Sequence, residues 1–312
     1  MRIIRSENPR PLMLVALNTD GLLAAGSPAF GAGGDVELWN AASGQHHFTY
    51  RTPSREPRSL FFTRDGRSLL VGEDLGIAVI DLATRLRADG PKAFGRLPKC
   101  ALALNGEKLV CADTVRVGET ARSRFVCYAT PLTAASVFLW KVEPPDGFGY
   151  FSAPAIDPAG RTVAVCASSL GSRGTCAEIQ IRDAATGAAR VAIPTDGARP
   201  VLGLTFSANG AKLLARTESN TVQLFDVATG TPAGELAHRG RSFVSGFAVH
   251  PAGPVACARS DGTVTFWDAE ACRPLRTLDW RAGRLVSVAF APDGALAAAG
   301  TEDGKIVVWD VE

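Results

Sequence analysis

The side chains able to do chemistry are few and scattered. The four histidines are His46, His47, His238 and His250. His46 and His47 are adjacent on a stretch that reads as a strand, so they face opposite sides and do not readily close on one metal ion. His250 opens His250-Pro251-Ala252-Gly253, where its ring is expected to cap a turn. The seven cysteines, Cys100, Cys111, Cys127, Cys166, Cys176, Cys257 and Cys272, include no Cys-x-x-Cys pair. An odd number spread through apolar runs reads as reduced thiols used as small buried side chains. Cys100 and Cys111 lie on the two arms of one expected hairpin and are placed to approach each other. Gly31-Ala32-Gly33-Gly34 lacks the Lys and the following helix of a phosphate loop. Ser, His and Asp all occur, but nothing in the sequence brings them within reach of one another as a triad. No catalytic residue, metal or cofactor is therefore expected.

The elements that carry these residues are set by a repeat. A short apolar motif ending in an aromatic residue or its substitute, then usually an acid or amide, recurs along the chain. It reads Val36-Glu37-Leu38-Trp39-Asn40, Ile77-Ala78-Val79-Ile80-Asp81, Val137-Phe138-Leu139-Trp140-Lys141 and Ile179-Gln180-Ile181-Arg182-Asp183. Val222-Gln223-Leu224-Phe225-Asp226, Val264-Thr265-Phe266-Trp267-Asp268 and Val307-Val308-Trp309-Asp310 complete the set. Successive copies are 41 to 43 residues apart except for one step of 60, between Asp81 and Lys141. Ahead of each motif a Gly stands in a turn between apolar runs, as in Asp20-Gly21, Asp65-Gly66, Asn105-Gly106 and Asp293-Gly294. Such pairs favour two-residue hairpins because the turn requires positive φ. After the motif comes a second turn, as in Asp183-Ala184-Ala185-Thr186-Gly187, whose acid and hydroxyl bond nearby backbone amides. Arg85 and Cys272 replace that last Gly in two copies, so those two turns should be strained or differently built.

Each repeat is thus strand, turn, strand, loop, aromatic strand, turn, outer strand, and no window carries a helical period. The chain is all-β. Four-stranded units with strands apolar on both faces cannot hide themselves alone, and a closed ring of stacked blades buries them. On these residues the chain resembles the tryptophan-aspartate (WD) repeat β-propellers, with Trp267-Asp268 and Trp309-Asp310 intact and Trp39-Asn40 close. The resemblance implies a seven-bladed propeller of four-stranded antiparallel blades spanning residues 1–312. It also implies a buried His-Asp-Ser/Thr-Trp network in each blade; only His238, Asp261 and Trp267 stand in register for one, with Cys257 at the Ser/Thr place. Because the chain stops just after the seventh aromatic strand, residues 1–6 are expected to supply the outer strand of the last blade beside Ile306 to Trp309, closing the ring. Residues 112–135 are expected as a long loop insertion in the third blade.

With 33 Lys+Arg against 31 Asp+Glu and a net charge of +2, the chain lacks the strong cationic excess of a dedicated nucleic-acid binder. Apolar runs such as Leu12 to Leu17 are far shorter than the roughly 20 residues that cross a bilayer. Glu7, Pro9 and Pro11 interrupt any apolar leader, so the expected address is cytoplasmic. In a propeller the between-blade loops share a face with the loops joining second and third strands. There the chain is rich in Arg and Lys: Arg51, Arg55, Arg58, Lys92, Arg96, Lys99, Arg199, Arg239, Arg241, Arg281 and Arg284, with Arg116, Arg122, Arg124 and Arg173 on the insertions. The acids assigned to the same segments are Glu56, Asp113, Glu119, Asp196 and Asp279. Such a face suits an acidic protein or peptide. Its expected contact residues are Arg55, Arg58, Arg116, Arg122, Arg124, Tyr128, Arg173, Arg199, Arg239, Arg241, Arg281 and Arg284. Phe125, Tyr128, Phe148, Tyr150 and Phe151 are either an exposed part of that surface or a buried plug beneath the long insertion. The resulting expectation is a monomeric, non-enzymatic protein-interaction scaffold, with no membrane or nucleic-acid partner. An enzyme or small-ligand site at the central channel mouth and nucleic-acid binding by the Arg-bearing face are the alternatives.

Overall fold

The computed structural model describes residues 1–7, 10–27, 34–53, 57–73, 76–91, 96–117, 120–144, 148–169, 176–195, 200–217, 221–238, 240 and 242–311. The side chains of 96–98, 113–117, 120–122, 148–150, 169 and 176 are outside that description. The described strands form seven four-stranded antiparallel sheets, and no helix occurs among the described residues. Blade 1 is built from Leu14–Leu17, Leu22–Ser27, Asp35–Asn40 and His46–Arg51. The innermost strands of blades 2 to 7 are Ser59–Phe62, Arg96–Leu102, Phe148–Ile156, Val201–Phe206, Val244–Val249 and Leu285–Phe290.

The first turn of each blade is longer than the two-residue hairpin expected. In blade 1 four residues separate the strands: the Asn18 amide donates to Leu22 O (3.0 Å) and the Gly21 amide to Asn18 O (3.4 Å). Gly21 has φ +74°, the left-handed position that closes a type I turn onto a bulge. The second turn is capped as expected. Asp81 Oδ1 accepts from the Ala83 and Thr84 amides (3.1 and 2.7 Å), and Asp183 and Asp226 repeat the pattern. Arg85 and Cys272 adopt φ 61° and 50°: of the two outcomes left open for these turns, strain holds rather than a different build, and the left-handed position is kept without Gly.

Packing occurs between the blades. Seven clusters of buried apolar side chains are present, one at each junction of neighbouring blades. Strand register defines the slot that organises them. Trp39 lies opposite Leu23, Ile80 opposite Leu69, Phe225 opposite Leu213, Trp267 opposite Val255 and Trp309 opposite Ala297. Each of these side chains packs toward the preceding blade.

Blades 3 and 4 correct the sequence reading. The third strand of blade 3 is Thr120–Ala129, so the slot residue is Tyr128, opposite Leu109, and Phe138–Val142 is the outer strand. Residues 112–117 and 120–129, expected within a loop, continue the strands Lys108–Val117 and Thr120–Ala129, which pair without a break from Lys108–Ala129 to Val117–Thr120. In blade 4 the slot holds Arg182, 7% exposed, whose guanidinium donates to Gln180 Oε1 (2.6 and 3.0 Å) and Gly187 O (2.8 Å). Trp140 compensates from the outer strand of blade 3. It is 8% exposed and its Nε1 donates to Ala184 O of blade 4 (2.9 Å). A tryptophan that serves the neighbouring blade therefore resembles, in sequence, the third-strand motif of its own.

The ring closes as expected. Arg2–Arg5 pairs antiparallel with Lys305–Asp310, Ile3 opposite Val307 and Ile4 opposite Ile306. Ile4 is 5% exposed and packs with Trp39, Ile306 and Val308. Three hydrogen bonds extend the seam: the Ser6 amide to Gly304 O (2.9 Å), the Leu12 amide to Thr301 O (3.0 Å) and Ser6 Oγ to Glu37 Oε1 (2.5 Å).

Two outcomes are expected in urea unfolding. Ile4→Ala should cost about 2–4 kcal/mol and removal of residues 1–6 more, whereas a frayed terminus would leave the midpoint unchanged. Trp140→Ala should cost about 3–5 kcal/mol and Leu139→Ala, on the same strand but 51% exposed, under about 0.5. Equal effects at 139 and 140 would contradict the outer-strand role of Trp140.

Candidate interaction surface

The two ends of the propeller differ. On one, the short turns of each blade bond to each other, as in the Ala41 amide to Gly21 O (2.8 Å), Leu82 to Arg67 (2.9 Å) and Val227 to Ala211 (2.9 Å). On the other, between-blade loops bond to the ends of second and third strands. Thr52 N donates to Gly34 O (2.8 Å), Arg58 N to Gly72 O (2.8 Å), Ser260 N to Phe243 O (3.1 Å) and Glu302 N to Arg284 O (2.9 Å). The described between-blade residues therefore share a face with the adjoining ends of the second and third strands.

Of the expected contact residues, Arg55, Arg173, Arg199, Arg239 and Arg241 lie outside the described residues. Arg116 and Arg122 are placed by backbone alone, opposite Ala121 and Val115 in the long hairpin of blade 3. Arg124 is half-buried opposite Asp113. Arg281 is exposed, with φ 52° and its amide donating to Asp279 Oδ1 (2.8 Å). Arg284 lies 3.4 Å from Glu302 Oε2 and 5.9 Å from the centre of the Phe243 ring. Phe243 is 45% exposed, an aromatic contact surface that sequence reading missed. Tyr128 has to be withdrawn from the contact set: filling the slot of blade 3, it is 0% exposed. Phe125 and Phe151 are likewise buried, their rings 6.0 Å apart and Phe125 meeting Trp140 edge-on at 5.4 Å, which is the plug arrangement. The side chains of Phe148 and Tyr150 are outside the description.

The ionisable groups elsewhere are committed to structure. His250 caps its turn as expected, with Nδ1 accepting from the Ala252 amide (3.0 Å) and Nε2 3.0 Å from Gly294 O. Cys100 and Cys111 are directly opposed across their strands, both as free thiols. Burial pushes the Cys127 thiol up to about 11 and that of Cys257 up to about 12, away from thiolate reactivity. The amides of Thr186 and Ala185 hold the Asp183 carboxyl down to about 2. Among the described residues no three His, Cys, Asp or Glu side chains converge as metal ligands, and no helix is long and apolar enough to cross a membrane.

The one in-register His-Asp-Trp set, in blade 6, is not joined by hydrogen bonds among the described residues. The His238 ring meets Trp267 edge-on at 4.9 Å, while His238 Nε2 and Trp267 Nε1 have no partner there. Asp261 instead accepts from Thr263 Oγ1 (2.7 Å) and pairs with Arg259 at 3.4 Å. Burial first, then the Arg259 charge, pushes the His238 imidazolium down to about 4 from 6.5. A histidine depressed by folding takes its proton first in the unfolded chain, so stability is lost as pH falls from about 6.5 to about 4. His238→Gln should remove on the order of 1–3 kcal/mol of that loss, read from urea unfolding at pH 7.5 and 4.5. Parallel pH profiles of wild type and variant would contradict it.

Residues 230–268 and 272–310 match the WD domain, G-beta repeat family. These two segments contain Trp267-Asp268 and Trp309-Asp310. No curated protein sequence matches the chain. Among solved structures it is similar to the crystal structure of the Myceliophteria thermophila Cps50 (Swd1) beta-propeller domain. The TM-score is 0.74 at 17% identity, covering 100% of this chain and 99% of that one, a likeness of fold. With two repeats matched in sequence and seven four-stranded sheets closed into a ring, the chain is a seven-bladed β-propeller whose residues 230–268 and 272–310 are similar to WD repeats.

Proposed function

We propose that this propeller is a non-enzymatic scaffold that binds another protein or peptide on its loop face, as a monomer in the cytoplasm. The observation that carries the reading is the exposed Phe243 with the Arg284 guanidinium against its ring and Glu302 beside it, on the face that carries the between-blade loops. An aromatic side chain flanked by Arg is the composition of an interface hot spot. The opposite face is made of short, internally bonded turns and offers less that varies. The Arg-rich balance of the loop segments favours an acidic segment as the bound partner.

The test compares proteins retained by immobilised wild type, an Arg281→Glu/Arg284→Glu variant and an Arg67→Glu variant on the turn face. Partners should be recovered at least tenfold less by the loop-face variant and normally by the turn-face variant. Equal recovery by all three, or loss with Arg67→Glu alone, would contradict the assigned face.

A further inference from the structure

Blade 3 sets two thiols side by side. Cys100, on the innermost strand Arg96–Leu102, lies directly opposite Cys111 on the second strand Lys108–Val117. The turn between these strands fixes what kind of pair they make. The Ala103 amide donates to Lys108 O (3.0 Å), a bond between opposed residues that continues the register of Leu102 with Leu109. Hydrogen-bonded and non-hydrogen-bonded pairs alternate along an antiparallel ladder. Counting back from Ala103 and Lys108, Ala101 with Val110 is hydrogen-bonded and Cys100 with Cys111 is not. At a non-hydrogen-bonded pair the Cα atoms are about 4.5 Å apart and the side chains are closest, within the range that a disulfide spans without backbone movement.

Both thiols face blade 2. Cys111 and Cys100 pack in one apolar cluster with Leu70 and Ile77 of that blade, whereas Cys127 packs on the side of blade 4. Among the described residues no other two cysteines stand opposite each other in a ladder. Packing does not ask for thiols on this rung. The corresponding pairs are Val15 with Ala25 in blade 1, Leu60 with Val71 in blade 2, Leu204 with Ala215 in blade 5 and Val288 with Ala299 in blade 7. Access to the two sulfurs is unequal: Cys111 is fully buried and Cys100 is half-buried. An oxidant in solution therefore meets Cys100 first, with the second thiol already in place behind it.

We propose that Cys100 and Cys111 are a reversible thiol–disulfide pair, closed by a hydroperoxide and reopened by a dithiol. The Cys100 sulfur attacks one peroxide oxygen and the O–O bond breaks. Cys100 becomes a sulfenic acid, and the other oxygen leaves with the thiol proton as water or an alcohol. The Cys111 sulfur then attacks the Cys100 sulfur; the S–S bond forms, the S–O bond breaks, and the hydroxyl leaves as water with the Cys111 proton. Two electrons pass from the two sulfurs to the peroxide. A dithiol returns them by exchange, becoming a disulfide itself. In a reducing compartment such a bond is transient and follows the oxidant. It forms at the foot of the long hairpin of blade 3, beside the register shift between Arg96 and Lys99 and below the strands that continue to Val117 and Thr120. Oxidation thus ties the innermost strand to the hairpin that extends toward the loop face.

The reduced full chain is treated with hydrogen peroxide, remaining thiols are alkylated, and tryptic peptides are weighed. Cleavage after Lys99, Lys108 and Arg116 puts the cysteines on separate peptides, 100–108 and 109–116. Folded wild type should yield these two joined, two hydrogen masses below their sum, at least tenfold above any other cysteine pairing, and dithiothreitol should separate them. With dimedone present during oxidation, Cys111→Ala should carry at least tenfold more adduct on Cys100 than wild type, because the sulfenic acid has lost its partner. Absence of the joined peptide from folded wild type, its appearance only in urea, or equal dimedone adducts in wild type and Cys111→Ala overturns the pair.

Discussion

Each blade of this protein is a four-stranded sheet with apolar side chains on both faces, and neither face can be buried within the blade. The second and third strands show it most plainly: Leu69 and Val71 pack toward blade 1 while Leu70 packs toward blade 3. Burial at roughly 25 cal/mol per Å² is therefore realised only when neighbours stack, and an open stack would leave two sheets bare. The seven apolar junctions answer that constraint, and the seam between blades 7 and 1 is the one that sequence neighbours do not make for themselves. Ile4 joins Trp39 and Ile306 there, so the first strand of the chain completes a cluster that the last strand begins. Ser287 Oγ adds a hydrogen bond to Leu12 O (2.6 Å) across the same seam.

Stability drawn from between-blade packing frees the ends of the strands from structural duty. The turn face is committed to capping, with Asp81, Asp183, Asp226 and Asp268 accepting backbone amides. The loop face is less constrained, and it is there that the exposed Phe243 and the paired Arg284 are found. The internal hydrogen-bond network associated with this family is not what secures blade 6. Trp267 and His238 pack edge to face, and Cys257 is a buried thiol between strands. Rigidity and recognition thus occupy different parts of one small disc.

What could be read from sequence follows where a physical requirement falls on a single residue type. The left-handed turn position demands Gly, so its replacement by Arg85 and Cys272 marked two turns as strained or differently built, and their positive φ decides for strain. The slot facing the preceding blade demands a large apolar side chain, which made Trp39, Phe225, Trp267 and Trp309 legible. Blade 4 meets that demand from outside itself: Arg182 takes the slot and Trp140 of blade 3 covers it, so Val137-Phe138-Leu139-Trp140-Lys141 imitates a third strand while forming an outer one. The error displaced Tyr128 from the core to a supposed contact surface.

The central claim is that the seven sheets are one cooperative unit sealed by the first strand. Native-state hydrogen exchange tests it most directly, by comparing the amides of Ile4 and Ile306 at the seam with those of Val110 and Leu213 in the second strands of blades 3 and 5. The account predicts one shared opening free energy, equal to that of global unfolding, at all four positions. Exchange at Ile4 as fast as in an unstructured peptide, while Val110 and Leu213 stay protected, would contradict it.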